Sequence, residues 1–89
     1  MRTKFNPGKC CTTVGVEAKV PHEEVMAALS RHLNCDWGNV CKEDAEQNNW
    51  SLEHDARILS SYKSSDDTVF WIITEADRSA TTVLLPEEY

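Results

Sequence analysis

Glu75, Asp77 and Arg78 stand within four residues of one another. Two carboxylates and a guanidinium so close are the parts from which acid-base chemistry, or a clamp for a carboxylate or phosphate, is built. The same trio also makes an ordinary polar chain reversal, with Asp77 bonding the turn backbone and Arg78 pairing with a neighbouring acid. No His or Cys lies near them in sequence to complete a nucleophilic triad. A softer set is His32-x2-Cys35-x5-Cys41, with His54 as a fourth donor of the kind zinc accepts. Its spacing matches no C-x2-C knuckle, and His32 falls on the apolar face of a predicted helix. The expectation is a core histidine, with no metal, no cofactor and no catalytic residue.

The third set is acidic. Asp36 and Trp37 precede a segment holding Glu43, Asp44, Glu46, Trp50 and Glu53, and Asp66 and Asp67 follow in a polar loop. Residues 36–55 carry six acids against Lys42, and residues 64–89 six acids against Arg78, within an overall charge of −6. Carboxylates repel phosphate, so direct binding to nucleic acid or to an anionic membrane is disfavoured, and a basic protein surface is the expected partner. Aromatic rings among charges suit such an interface. The predicted protein-binding residues are Asp36, Trp37, Glu43, Asp44, Glu46, Glu53, Asp66 and Asp67. The ordinary alternative for each is a solvated acidic face and, for a tryptophan, a place in the core.

These residues need elements to hold them, and 89 residues allow one small domain, 1–89. Forty per cent hydrophobic residues suit a folded chain, and no apolar run nears the ~20 residues that span a bilayer. The Met1-Arg-Thr-Lys-Phe start lacks the apolar region of a secretion signal, so a cytoplasmic location and reduced thiols are expected for Cys10, Cys11, Cys35 and Cys41. Adjacent Cys10 and Cys11 point to opposite faces of an extended segment.

Phe5-Asn-Pro-Gly8 is a turn, Lys9 to Thr13 a short strand, and Thr12 or Thr13 caps a helical turn over Val14 to Lys19. Pro21 with His22-Glu-Glu24 opens a helix over 21–33, with Val25, Leu29, His32 and Leu33 on one face. A second helix runs from Val40 to about Asp55 on a thin stripe of Cys41, Ala45, Asn48 or Asn49 and Leu52, with an acidic outer side. Arg57 to Lys63, Val69 to Thr74 and Ala80 to Leu85 read as three strands joined at Ser64–Asp67 and Asp77–Arg78. Val69, Trp71 and Ile73 on one side of the middle strand and Phe70 and Ile72 on the other predict cover on both faces. The fold class expected is α+β: two main helices packed on a three- or four-stranded antiparallel sheet, in the order β-α-α-β-β-β, with the N-terminal strand at an edge.

Asn34-Cys-Asp-Trp-Gly38, Glu43-Asp44, Arg57-Ile-Leu-Ser-Ser-Tyr62 and above all Trp71-Ile-Ile-Thr-Glu-Ala-Asp-Arg-Ser79 with Thr81-Thr-Val-Leu-Leu-Pro-Glu-Glu-Tyr89 carry a resemblance. They resemble a family of small uncharacterised bacterial proteins carried on plasmids, prophages and other mobile elements, sometimes labelled a restriction-system subunit or plasmid-related protein. The chain departs from that pattern at Cys10-Cys11 and Val14-Gly15. A setting in mobile elements implies a non-enzymatic inhibitor of a host nucleic-acid-targeting defence complex, of the anti-CRISPR or anti-restriction type. The competing expectation is a small enzyme or ligand-binding domain using Glu75, Asp77 and Arg78.

Overall fold

A computed structural model describes residues 3–89. Gly8 turns the chain into the first strand with φ +64, beside the backbone of Ser79, where a Cβ would lie 2.3 Å from a carbonyl oxygen. Strand β1 spans Lys9–Thr12 and helix α1 Val14–Lys19, whose N-terminus Thr13 caps by accepting from the Val16 N–H. Helix α2, His22–Leu33, starts after Pro21, with Glu23 and Glu24 in its first turn and Val25, Ala28, His32 and Leu33 buried. It ends with Cys35 left-handed at φ 66, the Cys35 N–H on the His32 carbonyl and the Asp36 N–H on that of Arg31. This is the Schellman closure, with cysteine at the position glycine usually takes.

Helix α3 spans Lys42–His54 and is closed by left-handed Asp55. Cys41 stands at its N-cap, and its predicted start at Val40 moves inward by two residues. Strands β2 (Ile58–Lys63), β3 (Val69–Thr74) and β4 (Ala80–Leu84) follow as a meander, and Pro86–Glu88 form a single 3-10 turn.

The α+β class and element order stand as expected, with α1 as the short additional helix. The sheet, in the order β1-β4-β3-β2, is mixed and not antiparallel throughout, because β1 runs parallel to β4. These two neighbours are joined by a connection containing three helices and two strands, and only such a long connection permits parallel pairing.

Ile58, Ser60, Tyr62, Phe70, Ile72, Thr74, Thr81, Val83 and Leu85 form the inner face, against Val16 and Val20 around α1 and Val25 and Ala28 of α2. The second face of β3 is covered in part: Ile73 is buried and Trp71 half-buried, its ring edge to face with that of Tyr89 at 5.9 Å, while Val69 at the start of the strand is exposed. Arg57 lies over the ring of Tyr89 and donates to its hydroxyl, while the Glu88 carboxylate accepts from Thr13, Gly15 and Leu85. The C-terminal turn is thereby fastened down.

Candidate functional site

Helix α3 owes its position to polar bonds. Of its thirteen residues only Asn48 and Ser51 are buried, and the Cys41, Ala45 and Leu52 stripe is not. Asn48 offers its amide to the free edge of β2 as a peptide would: Nδ2 donates to the Leu59 carbonyl at 2.7 Å and Oδ1 accepts the Leu59 N–H at 3.1 Å. Gly38 extends the same cover, with the Asn39 N–H on the Ser61 carbonyl and the Ser61 N–H on that of Trp37. At the other end Arg78 Nη2 donates to the Ser51 carbonyl at 2.9 Å and Nη1 to that of Ala56 at 2.7 Å. A cation here satisfies carbonyls at a helix C-terminus.

Held in this way, α3 turns Glu43, Asp44, Glu46 and Glu53 to solvent. Glu43, Glu46, Gln47 and Trp50 recur at the spacing of one helix face and together line a shallow groove of about 340 Å³. Trp50 is 51 % exposed, and its ring stacks on His54 at 4.2 Å, one turn further on. Asp44 lines a separate hollow with Asn48, Arg57 and Leu59, and Glu53 lines neither. Trp50 is not among the predicted binding residues, although its i, i+4 relation to His54 is legible in the sequence.

Asp36 and Trp37 leave the candidate face. The Asp36 carboxylate takes Arg31 Nε at 2.7 Å and Nη2 at 3.2 Å, and this bond holds it below the usual carboxylate range. Trp37 is 6 % exposed, lies against Phe5 and His32, and donates Nε1–H to Asn49, so it is a core ring. Asp66 belongs to its own turn, accepting from Ser64, whose hydroxyl bond is the chief cause of its lowered pKa. Asp67 supplies a left-handed residue at φ 67. This loop hangs on α2, where the Glu24 carboxylate accepts the Ser65 N–H and hydroxyl, so the two acidic clusters are anchored to different elements.

The Glu75–Arg78 reversal is a fastening. Arg78 directs its guanidinium at four backbone carbonyls, of Ser51, Ala56, Glu75 and Ala76, from a left-handed backbone at φ 59. Asp77 accepts the Ser79 N–H, and Ser79 lowers its pKa. His32 is wholly enclosed and ends a chain of hydroxyls. Thr81 donates to the Pro7 carbonyl at 2.7 Å and so accepts from Thr74, 2.7 Å away. Thr74 must then accept from His32 Nε2–H at 2.9 Å, leaving Nδ1 as the acceptor for the Ser60 hydroxyl at 2.5 Å. The ring is neutral, and burial pushes its pKa down to about 4. A Ser–His pair is present, but it is sealed in the core. Both His32 nitrogens are thus occupied and His54 is stacked on Trp50, so the His and Cys side chains of the 32–54 stretch do not converge. Among the described residues no three His, Cys, Asp or Glu side chains gather as a metal site requires.

No family model, curated protein or solved structure matches the chain.

Proposed function

We propose that the chain is a non-enzymatic protein-binding module whose docking face is the solvent side of α3, an acidic stripe with Trp50 at its centre. The observation that carries this reading is that α3 is fixed by Asn48 and Arg78, while the carboxylates of Glu43, Asp44, Glu46 and Glu53 are exposed and unpaired among the described residues. Carboxylates around a half-open indole suit Lys and Arg side chains, which can pair with the acids and rest on the ring. A protein groove that otherwise grips a phosphate backbone has that chemistry. A host nucleic-acid-targeting defence complex is the partner that the mobile-element resemblance favours, with the chain as its inhibitor.

The test is binding of the purified chain to basic nucleic-acid-targeting effector complexes at several salt concentrations. Binding should weaken steeply with salt and be lost in a Glu43→Lys, Glu46→Lys, Glu53→Lys variant that keeps the wild-type circular dichroism spectrum. Unchanged affinity in that variant would remove α3 from the interface.

A further inference from the structure

The two edges of the sheet are treated differently. Along β2 the Asn48 amide and the Trp37–Asn39 segment occupy the outward N–H and C=O groups of Leu59 and Ser61. Along β1 no described residue does. The Lys9 N–H reaches the Ser79 carbonyl and the Thr13 N–H that of Val83, so odd-numbered residues of β1 face β4 and the even ones, Cys10 and Thr12, aim their N–H and C=O away from the sheet. No described residue pairs with those groups, and all four residues of the strand are exposed. An open edge of this kind is a template for another strand.

The geometry points to a second copy of this chain as the occupant, added antiparallel across a two-fold axis perpendicular to the sheet. That axis puts the helices of both copies on one side, so residues facing each other must share a side of the sheet. Pairing Cys10 with Thr12 of the other copy, and Thr12 with its Cys10, satisfies every outward N–H and C=O of β1. Cys11 then meets its own counterpart at the centre, as a non-hydrogen-bonded pair. Such pairs bring Cα atoms to about 4.5 Å, inside the span a disulfide bridges.

Charge supports the same register. Lys9 would lie opposite Thr13 of the other copy, whose hydroxyl donates to the Glu88 carboxylate at 2.6 Å. The two-fold makes this attraction twice. On the helix side, a groove of about 410 Å³ lined by Cys10, Val20, Val25, Met26 and Leu29 adjoins β1. The two-fold sets it beside its counterpart, so apolar surface is buried along with the strand edge. This pairing does not rest on the α3 reading, since it involves no residue of that helix.

Sedimentation of the full chain under reducing conditions, at concentrations up to about 1 mM, tests the pairing. A reversible dimer is expected, and a monomer throughout overturns the inference. Cys10→Pro removes an outward N–H while leaving the bonds to β4, and should give a folded monomer. A dimer that persists in Cys10→Pro uses another face and also overturns it. Should Cys10→Pro fail to fold, Lys9→Glu decides: it sets like charges together and should weaken the dimer about tenfold or more, whereas unchanged affinity is contrary.

Register is read with diamide on a Cys10→Ser, Cys35→Ser, Cys41→Ser chain. The two Cys11 thiols would give two protons and two electrons to the azo group and form a disulfide. Its absence while the dimer is present would overturn the register.

Discussion

α2 and α3 are nearly equal in length, twelve and thirteen residues, yet they are held by opposite means. α2 buries Val25, Ala28, His32 and Leu33 against the sheet, whereas α3 buries two polar residues and is fixed by directed bonds from Asn48 and Arg78. Burial constrains a whole face, because each position must fit the packed interior. Directed bonds constrain a few atoms. The outward side of α3, where Glu43, Glu46 and Glu53 are exposed, carries little structural demand, and such surface is where a binding function can be written with little loss of stability.

The largest effect is expected in the interior. Phe70 is 1 % exposed within the cluster that α2 covers, and Phe70→Ala should cost about 3–5 kcal/mol. In a domain this small that removes most of the stability, and urea denaturation would measure it. A loss below about 1 kcal/mol would mean that the interface beneath α2 is not close-packed.

The polar inclusion in that interior comes next. The folded pKa of His32, about 4, lies below its ordinary 6.5, so the unfolded chain takes up the proton first. Stability from the neutral ring is complete above about pH 6.5, erodes as pH falls, and is gone below about pH 4. At about 1.4 kcal/mol per pH unit the loss approaches about 3 kcal/mol. Carboxylates held low, such as Asp36 by Arg31, add their own loss mainly below about pH 4. Urea midpoints flat between pH 7 and pH 4.5 would contradict the enclosed neutral ring.

The smallest effect is expected where α3 is anchored. Asn48→Ala leaves the Leu59 N–H and C=O without their partner and should cost about 1–3 kcal/mol. The Leu59 amide should then exchange with solvent faster while amides of β3 keep their protection. Equal acceleration throughout the sheet would show that α3 is no separable element.

Much of this fold could be read locally. Thr13 as a cap, Pro21 before α2, the polar loop at Ser64–Asp67 and the alternation of β2 to β4 are signals carried by neighbours in sequence. The acidic side of α3 was legible for the same reason, since helical spacing alone separates Glu43 and Glu46 from Asn48. The surroundings of Trp37 and Asp36 in sequence are polar and suggest a docking pair, whereas Trp37 is buried. Their surroundings in space are Phe5 and His32 for the ring and Arg31 for the acid.

Composition and periodicity determined by themselves the acidic character, the α+β class and the dense C-terminal meander. Those properties follow from each residue's own charge and preference and from periods of two and 3.6 residues. Only the tertiary structure decided that β1 runs parallel to β4, that Arg78 fastens a helix end instead of a ligand, and that one sheet edge is closed and the other open. Each of these depends on groups far apart in the chain, from Gly8 beside Ser79 to Arg78 on the Ser51 carbonyl. Such pairings leave no mark in local sequence, because a donor or acceptor is indifferent to where along the chain its partner comes from.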